Sequence, residues 1–480
     1  MQSLKIRLRV TEIIYILFSM MAMVLCIIGP FQSYKAYSVI AILLFIYLFV
    51  LTLHYNSFSL YQIFLITYFV FLLARPFLDL MGAYDFRQMD YFRYETMPDY
   101  VAVETIKVLV CFLCGTSYAW LLIDKSPLNT AEAKLETSNI TKQKLNQFLK
   151  VMFYIYALIF FLKLVYTIIN LRSLGYAALF NGGIDSIHYP MIFTGAGTIV
   201  ELLYILIIYY NRDKKTFVRF TFLYIAIGIV KAFTGQRTTA FLVILFSIYI
   251  YSTFYSEIKI YNKKIVVIAL LAPFAIEAFA QIRNSMFSFE NLLANNILIL
   301  MLKNMGISVN VVAYYVMYKG SFTNKVPFFL GYIIDAFQKE PAGQTLDDIT
   351  YGNYLGDHLT YKISDQAFFS GRGTGTSIVA EGYDLVNGNI LLVVLFGFII
   401  TLVILKLCKG SYSSIYKFVV AYFAAMDFIY SPRWSVLKSI QTCLIGLVVC
   451  FIINRFSYKM SSSQNELQLI NRTIDSTNSQ

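Results

Sequence analysis

The chain has 480 residues, of which 58% are hydrophobic and only 14% are charged. Soluble domains are about 45–50% apolar and about 25% charged, so the composition excludes an ordinary soluble enzyme. The formal net charge of +12 would suggest nucleic-acid binding in a soluble protein. Here the basic residues cluster in short connectors between apolar runs, where they set membrane topology. The sequence therefore predicts a polytopic membrane protein that contacts membrane lipid and binds no nucleic acid.

Repeated apolar runs of about 17–22 residues predict an all-α fold, because such a run can cross a hydrocarbon core of about 30 Å as a helix. About twelve spans are expected on this basis. In chain order the predicted spans are 11–29, 36–53, 59–74, 101–123, 148–169, 191–210, 218–234, 238–255, 265–281, 389–407, 415–430 and 436–454.

Spans nine and ten are separated by the one stretch with room for a folded element outside the membrane. We therefore expect four parts in the chain. They are a membrane bundle with spans one to nine (1–281), a large external loop with short interfacial helices (282–388), the last three spans (389–455) and a cytoplasmic disordered tail rich in Ser, Asn and Gln (456–480).

Lysine and arginine concentrate in alternate connectors, which predicts that both termini are cytoplasmic and that the long loop lies outside. The stretch Leu292–Tyr318 is apolar enough for a further span, but Asn295, Lys303 and Asn310 interrupt it. A span there would put the later basic connectors on the outside, so we expect helices on the outer surface instead. The outside segment Arg75–Tyr100 alternates in charge sign, which is typical of a solvated, salt-bridged surface.

Four arginines fall at predicted outer helix ends or in the external loop. They are Arg237, Arg283, Arg372 and Arg433. An arginine at membrane depth is costly unless it has a partner or an anionic ligand, and a guanidinium group binds phosphate through two parallel hydrogen bonds. Any one of them could be an interfacial or ion-paired side chain, but four on one face indicate a binding site for pyrophosphate.

A glycine-rich turn surrounds one of these arginines, Arg372, which is a candidate catalytic residue. Gly371, Gly373 and Gly375 permit unusual backbone angles and let a ligand approach backbone N–H groups closely, so we expect them to bind substrate. The turn is not followed by the Lys-Ser/Thr of a P-loop and lies in the external loop, which argues against nucleotide binding.

The external loop also supplies the candidates for a general base. Glu381 is the first choice, because a carboxylate near the mouth of a helix bundle can be desolvated and its pKa raised. The alternative is that Glu381 caps the N-terminus of the following helix. Asp335 and His358 are further catalytic candidates. The pair Asp347-Asp348 could bind a divalent cation, but no third ligand follows at a fitting spacing, so we expect neither a metal nor a cofactor.

Three short pieces, together with the helix count and the external loop, carry a family resemblance. They are GQRTTAFLVILF (Gly235–Phe246), AQIRNS (Ala280–Ser285) and GRGTGTSIVAEGYDLVNG (Gly371–Gly388). In these features the chain resembles the Wzy-type polymerases of O-antigen or capsular repeat units. The last piece matches the way in which this family ends its large external loop, with a small-residue turn, a hydroxyl, an acid and a late glycine before a helix.

The resemblance implies a metal-independent glycosyltransferase of the bacterial plasma (inner) membrane. Its substrate would be an oligosaccharide repeat unit on a polyprenyl pyrophosphate, and a flippase and a chain-length regulator would be its partners. The growing glycan would pass from its lipid pyrophosphate to a hydroxyl group of a fresh lipid-linked unit. Arginines would stabilise the leaving phosphate, and a carboxylate would deprotonate the hydroxyl.

Three alternatives share parts of this pattern. A glycan ligase, which moves finished chains to a lipid acceptor, would have the same layout. A flippase would need charged residues inside the bundle and no large external loop, and an ion-coupled transporter would need charged or broken helices at midspan. The sequence favours the polymerase because its charged residues lie toward span ends and its loop is large.

Overall fold

A computed structural model describes residues 9–54, 59–92, 95–123, 140–174, 193, 195–211, 213–234, 237–255, 296–322, 326–335, 337, 344–409 and 414–455. The described chain is mostly helical, which confirms the predicted fold class. Its strands form one small antiparallel hairpin, in which β1 (Gln88–Met89) pairs with β2 (Glu95–Thr96). The predicted ninth span, 265–281, and the tail, 456–480, lie outside the described residues.

The first group of helices matches the first four predicted spans. It consists of α1 (Val10–Ile28), α2 (Tyr34–Leu53), α3 (Leu60–Tyr68), α4 (Ala74–Leu80) and α5 (Asp99–Leu122). A π-helical turn, Phe69–Leu73, joins α3 to α4, so that one helical unit runs from Leu60 to Leu80. This unit extends past the predicted end at residue 74, because Pro76 lies in the first turn of α4, where a missing N–H is tolerated.

The second group of helices matches predicted spans five to eight. It consists of α6 (Ile140–Leu174), α7 (Ala196–Tyr210), α8 (Lys214–Ala232) and α9 (Arg237–Phe254). Asp213 begins α8 by accepting a hydrogen bond from the backbone N–H of Thr216. Tyr204 of α7 stacks on Tyr224 of α8 with ring centres 4.3 Å apart, which holds these two helices together.

The region expected to form the external loop contains several helices. They are α10 (Ile297–Met305), a 3₁₀ turn (Gly306–Ser308), α11 (Val309–Tyr318), α12 (Phe328–Asp335), α13 (Leu346–Thr350), α14 (Leu355–Ile363), α15 (Asp365–Phe369) and α16 (Ile378–Leu385). Three longer helices follow, α17 (Ile390–Cys408), α18 (Ile415–Tyr430) and α19 (Ile440–Arg455), and they match the last three predicted spans.

Seven helical units of the described chain are long and apolar enough to cross a membrane. Six of them coincide with predicted spans. The seventh is Ile297–Tyr318, a 22-residue unit that we expected to lie on the outer surface. Helix length and hydropathy alone qualify it as a span, so the total of twelve spans and the extent of the external loop stay predictions.

The closest packing of two helices joins α5 to α17. A Cβ atom on Gly115 would lie 2.1 Å from the carbonyl oxygen of Val394, and one on Gly397 would lie 2.9 Å from that of Phe112. Only glycine leaves room for this approach of two backbones, the arrangement that small residues provide in membrane bundles. The pair therefore fixes α17, and with it the end of α16, against the first group.

Helix α18 connects the two groups. Phe428 stacks on Phe64 of α3 at 4.3 Å between ring centres, while Phe418 contacts Tyr209 of α7 at 5.4 Å and Tyr422 contacts Tyr204 at 6.5 Å. These pairs run in opposite directions along α7 and α18. The end of α18 therefore lies at the same end of the bundle as the beginning of α7.

Replacing Gly115 by Ala should lower the free energy of unfolding by about 1–3 kcal/mol, because the new methyl group would overlap a backbone carbonyl. The measurement is the thermal unfolding midpoint of the detergent-solubilised protein. Gly228→Ala is the matched control, since its Cβ would meet Val243 at an ordinary 3.7 Å and alanine favours the helix. Equal midpoints for the two variants would contradict the packing described for α5 and α17.

Candidate functional site

The glycine-rich turn between α15 and α16 is held against α14 by Thr374. The Thr374 backbone N–H donates to Thr360 Oγ1 at 2.9 Å, and Thr374 Oγ1 donates to the carbonyl oxygen of Gly356 at 3.2 Å. Gly371 and Gly375 adopt positive φ values, 78° and 74°, which glycine adopts without strain. These contacts fix the path of the turn.

The other side of this turn packs on the turn after α18. The backbone N–H of Ile378 donates to the carbonyl oxygen of Ser431 at 2.9 Å, and a Cβ on Gly375 would lie 3.9 Å from the carbonyl oxygen of Arg433. The half-buried Arg433 guanidinium stands over the ring of Phe71, 5.8 Å from its centre. Gly375 and Arg433, two of the sequence candidates, are therefore neighbours.

Glu381 lies in α16, directly behind this junction, and is fully buried. Its Oε1 accepts a hydrogen bond from Thr376 Oγ1 at 2.8 Å, whereas its Oε2 has no hydrogen-bond partner among the described residues. Burial raises the pKa of Glu381 to about 8, and the nearby hydroxyl groups of Ser435 and Thr376 offset part of the rise. The site thus contains a carboxyl group that changes charge near neutral pH.

Glu381 lies in the first turn of α16, but other side chains make the capping hydrogen bonds of α16 and of the following helix. Helix α16 is capped by Ser377, whose side chain accepts from the backbone N–H of Val379. The following helix, α17, is capped by Asn389, which accepts from the N–H groups of Leu391 and Leu392. The carboxyl group of Glu381 instead faces Thr376 and Ser435.

Two tyrosines, Tyr332 and Tyr354, lie close enough to Glu381 for its charge to act on them. The rings of Tyr332 and Tyr354 meet edge to face with centres 5.7 Å apart. Burial raises the pKa of both hydroxyl groups, and the charge of Glu381 raises it further. Tyr354 is one of the loop aromatics whose side chain suits the face of a sugar, whereas nothing in the sequence singled out Tyr332.

Arg372 lies on the exposed side of the glycine turn. Its carbonyl oxygen accepts from Gln344 Nε2 at 3.1 Å, and the same amide donates to Asp357 Oδ1 at 3.1 Å. Within the described chain, the Arg372 guanidinium makes no hydrogen bond or ion pair, so it is available to an external anion. Arg237 is the first residue of α9, its side chain lies outside the described part, and Arg283 lies outside the described residues.

His358 and Asp335 belong to a separate cluster. The His358 ring lies edge-on to Phe328 with ring centres 5.1 Å apart, and its Nε2 lies 3.0 Å from the carbonyl oxygen of Gly352. Burial lowers the pKa of His358. Asp335 accepts from Asn353 Nδ2 at 3.2 Å, and burial raises its pKa. Their hydrogen bonds connect local segments, and none of those described reaches Glu381.

The chain also matches a protein-family model. The model for the O-antigen polysaccharide polymerase Wzy matches residues 10–461, nearly the whole chain. The chain belongs to this family. No curated protein and no solved structure matches it. The predicted resemblance is confirmed, and membership in the Wzy family identifies an integral membrane protein of O-antigen polysaccharide polymerisation.

One buried arginine of this Wzy-family chain was expected on the surface. Arg75 is only 1% exposed, and its guanidinium donates two hydrogen bonds to Asp90, at 2.8 and 3.2 Å. It also donates to the carbonyl oxygen of Lys303 at 3.0 Å. Asp79 of the same segment is also buried, whereas Arg87 fits the prediction, with ion pairs to Asp85 and Asp99.

Arg75 supports the site indirectly. It connects α4 and α10 to the segment after β1, and Tyr91 in that segment donates its hydroxyl hydrogen to the carbonyl oxygen of Thr374 at 2.9 Å. The solvated-surface prediction failed for Arg75 because charge alternation along the sequence does not reveal which backbone carbonyl groups the fold brings near a side chain.

Replacing Asp90 by Ala should destabilise the protein by about 3–5 kcal/mol, because the buried guanidinium of Arg75 would lose its charged partner. Asp99→Ala, which removes an exposed ion pair with Arg87, should cost about 0–1 kcal/mol. Thermal unfolding of both variants in the same detergent provides the comparison. A similar small shift for both would mean that the Arg75 pair does not support the fold.

Proposed function

We propose that the chain joins oligosaccharide repeat units carried on polyprenyl pyrophosphate at the outer face of the bacterial plasma membrane, and that Glu381 lies at the reaction centre. The observation that supports this most directly is a buried carboxyl group with one oxygen free, next to a turn that carries arginine. Family membership supports the reaction type, and the site residues are our own assignment.

In this proposal Glu381 is the general base. Its Oε2 takes the proton from the acceptor hydroxyl group as the acceptor oxygen bonds to the anomeric carbon of the donor sugar. The bond between that carbon and the phosphate oxygen breaks, and lipid pyrophosphate leaves with the electron pair. A carboxylate whose pKa is about 8 is a stronger base than an ordinary one, which favours proton transfer near neutral pH.

Arg433 and Arg372 are proposed to bind the departing pyrophosphate, with Gly371, Gly373 and Gly375 allowing its close approach. Arg433 adjoins Gly375, and the exposed Arg372 guanidinium makes no described contact that would compete with a ligand. Guanidinium groups remain charged at all relevant pH values and grip phosphate through two hydrogen bonds. We propose that they replace a metal ion here, and that Arg237 and Arg283 add to the same site.

Aromatic side chains are proposed to bind the sugar rings. Tyr332 and Tyr354 border Glu381, and two large aromatic residues of the same region, Tyr351 and Phe369, are 73% and 50% exposed. Exposed aromatic faces suit the apolar faces of sugars. His358 and Asp335 are assigned a supporting role in this proposal, because their described hydrogen bonds serve the local fold.

The outside location of residues 282–388, with both termini cytoplasmic, is part of the proposal. Three hydrogen bonds join the unit Ile297–Tyr318 to neighbours near one end of the bundle. The Lys303 carbonyl oxygen accepts from the Arg75 guanidinium, Asn310 Nδ2 donates to the Gln88 carbonyl oxygen, and the Tyr315 hydroxyl donates to Asp384. This pattern supports a helix that lies across the outer end without crossing. A flippase and a chain-length regulator are the proposed partners.

Glu381→Gln should reduce polymerisation by about 100-fold or more, since a positioned base contributes about 10²–10⁴-fold. The measurement is electrophoresis of surface glycan from the native host after deletion of the gene and complementation with each variant. Single-repeat products would mean lost polymerisation, absent glycan would favour a flippase, and long unattached chains would favour a ligase. Asp347→Asn, a change at an exposed carboxylate, should give normal chains.

The stability of the Glu381→Gln protein provides the folding control. The pKa of Glu381 is raised from its ordinary 4.5 to about 8 in the folded protein, so the wild type loses stability between these two values, where the unfolded chain is ionised and the folded one is not, and loses no more above about pH 8. The Gln variant cannot ionise, so it should be about as stable as the wild type below pH 4.5, increasingly more stable from there to about pH 8, and more stable by a constant amount at higher pH. Lost polymer together with lost protein would leave Glu381 as a structural residue and contradict the assignment.

The pH dependence of kcat/KM should follow the ionisation of Glu381. Activity should rise with pH and level off above about 8, because only the ionised base accepts a proton. Thr376→Val removes a hydroxyl group that stabilises the ionised form, so the apparent pKa should increase further. The exposed Thr350→Val, whose hydroxyl bonds within its own helix, should leave the profile unchanged. An identical profile for all three proteins would refute the role of Glu381.

A further inference from the structure

A cavity lies within the bundle, and Glu381 is not among the residues that line it. It has a volume of about 540 Å³ and lies between α6, α7 and α8, with Val243 of α9 and Met426 of α18 also in its wall. It occupies the end of these helices where α7 begins and α8 ends, the end at which the turn after α18 also lies.

The charged side chains of this cavity are Lys163, Glu201 and Lys231. Two ammonium groups against one carboxylate leave one positive charge in excess. The Lys163 ammonium donates to the carbonyl oxygen of Phe193 at 3.3 Å, whereas that of Lys231 makes no hydrogen bond or ion pair with any residue in the described ranges. Charged side chains inside an apolar bundle are costly, and they are typical of a ligand pathway.

The backbone at the cavity wall adds to this positive potential. Helix α7 begins here, and its N-cap residue Gly195 and the first-turn residues Gly197 and Thr198 line the cavity. Gly195 provides no side-chain cap, so the N–H groups of the first turn remain available to a ligand. A helix N-terminus carries partial positive charge and binds phosphate. Lysine side chains and these N–H groups together suit a multiply charged phosphate ligand.

The proposed reaction needs two anion sites that are separate. The diphosphate of the donor carries the bond that breaks, so it must lie beside Glu381. The diphosphate of the acceptor is separated from the reacting hydroxyl group by the sugars of a repeat unit, so it must lie farther away at the same end of the bundle. The cavity meets both conditions. Met426 in its wall precedes Ser431 by five residues, about 7.5 Å of helix rise, and Ser431 contacts the glycine turn.

We propose that this cavity binds the diphosphate of the acceptor, the incoming lipid-linked repeat unit. Lys163 and Lys231 are its charged ligands, and the first turn of α7 supplies N–H groups. Helix α18 separates this site from the donor site and sets the distance between them. The inference rests on the proposed function, since only a reaction between two lipid-linked glycans requires the second diphosphate site.

The test counts polyprenyl diphosphate molecules bound to the full-length protein in detergent by native mass spectrometry. The wild type should bind two per chain. The double variant Lys163→Gln/Lys231→Gln should bind one, with affinity at the lost site reduced about 10- to 100-fold, the contribution of hydrogen bonds to a charged group. Lys215→Gln, at the exposed opposite end of α8, should still bind two. Two molecules on the double variant would overturn the proposal.

The phosphate group of an ordinary anionic phospholipid could also occupy this cavity. A competition experiment distinguishes a phospholipid from the polyprenyl diphosphate. Phosphatidylglycerol added at equal concentration should not displace the second polyprenyl diphosphate from the wild type. Displacement that depends on Lys163 and Lys231 would assign the cavity to a phospholipid headgroup and overturn the acceptor site. The single variant Lys231→Arg keeps the positive charge, so it should still bind two polyprenyl diphosphates per chain, as the wild type does. This result would show that the loss in the double variant comes from lost charge and not from a folding defect.

Kinetics separates failure of this inference from failure of the proposed function. With lipid-linked repeat units extracted from the host, Lys231→Gln should raise KM at unchanged kcat, because its ligand lies away from the reacting bond. Glu381→Gln should lower kcat while still binding two diphosphates. A normal KM in Lys231→Gln would refute the cavity alone, whereas full activity in Glu381→Gln would refute the base and leave the cavity intact.

Discussion

The burial of the Glu381 carboxyl group is the constraint around which the candidate site is built. A carboxylate removed from water is costly unless hydrogen bonds or charges compensate. Thr376 supplies one hydrogen bond, Ser435 lies close by, and Oε2 is left without a described partner. The remaining cost appears as a raised pKa. Thr376 belongs to the glycine-rich turn before α16, and Ser435 belongs to the turn after α18. The two turns must therefore meet to place both hydroxyl groups near the carboxyl group, and the packing of α14, α16 and α18 brings them together.

Arginine serves two different purposes at this end of the bundle. Arg75 is enclosed by a carboxylate and backbone carbonyl groups, and it can bind nothing else. Arg372 is exposed, and Arg433 is half-buried over an aromatic ring. The side chain is the same, but a guanidinium group can bind phosphate only if some of its N–H donors are not already hydrogen-bonded to the protein. The sequence could not distinguish an enclosed arginine from an accessible one, because the hydrogen-bond acceptors around it come from other segments of the chain.

The predictable parts of the molecule are those that depend on local composition. Apolar runs predicted the long helices up to α9 and again from α17 onward, since a long apolar run is itself the local signal for such a helix. Gly375 and Glu381 were found as candidates because they lie in one short piece of sequence. Ser435 and Tyr332 were missed, because only tertiary packing brings them near Glu381. His358 was chosen for its chemistry, and its aromatic surroundings could not be read from its neighbours in the chain.

The π-helical turn Phe69–Leu73 determines the directions in which the side chains of α4 point relative to those of α3. An α-helix turns about 100° per residue, and a π turn accommodates one extra residue. Phe71 within the turn lies under the Arg433 guanidinium, and Arg75 just beyond it points toward Asp90. Losing a single residue here would rotate α4 by more than a quarter turn relative to α3. The number of residues in this turn is therefore constrained, in addition to their side-chain types.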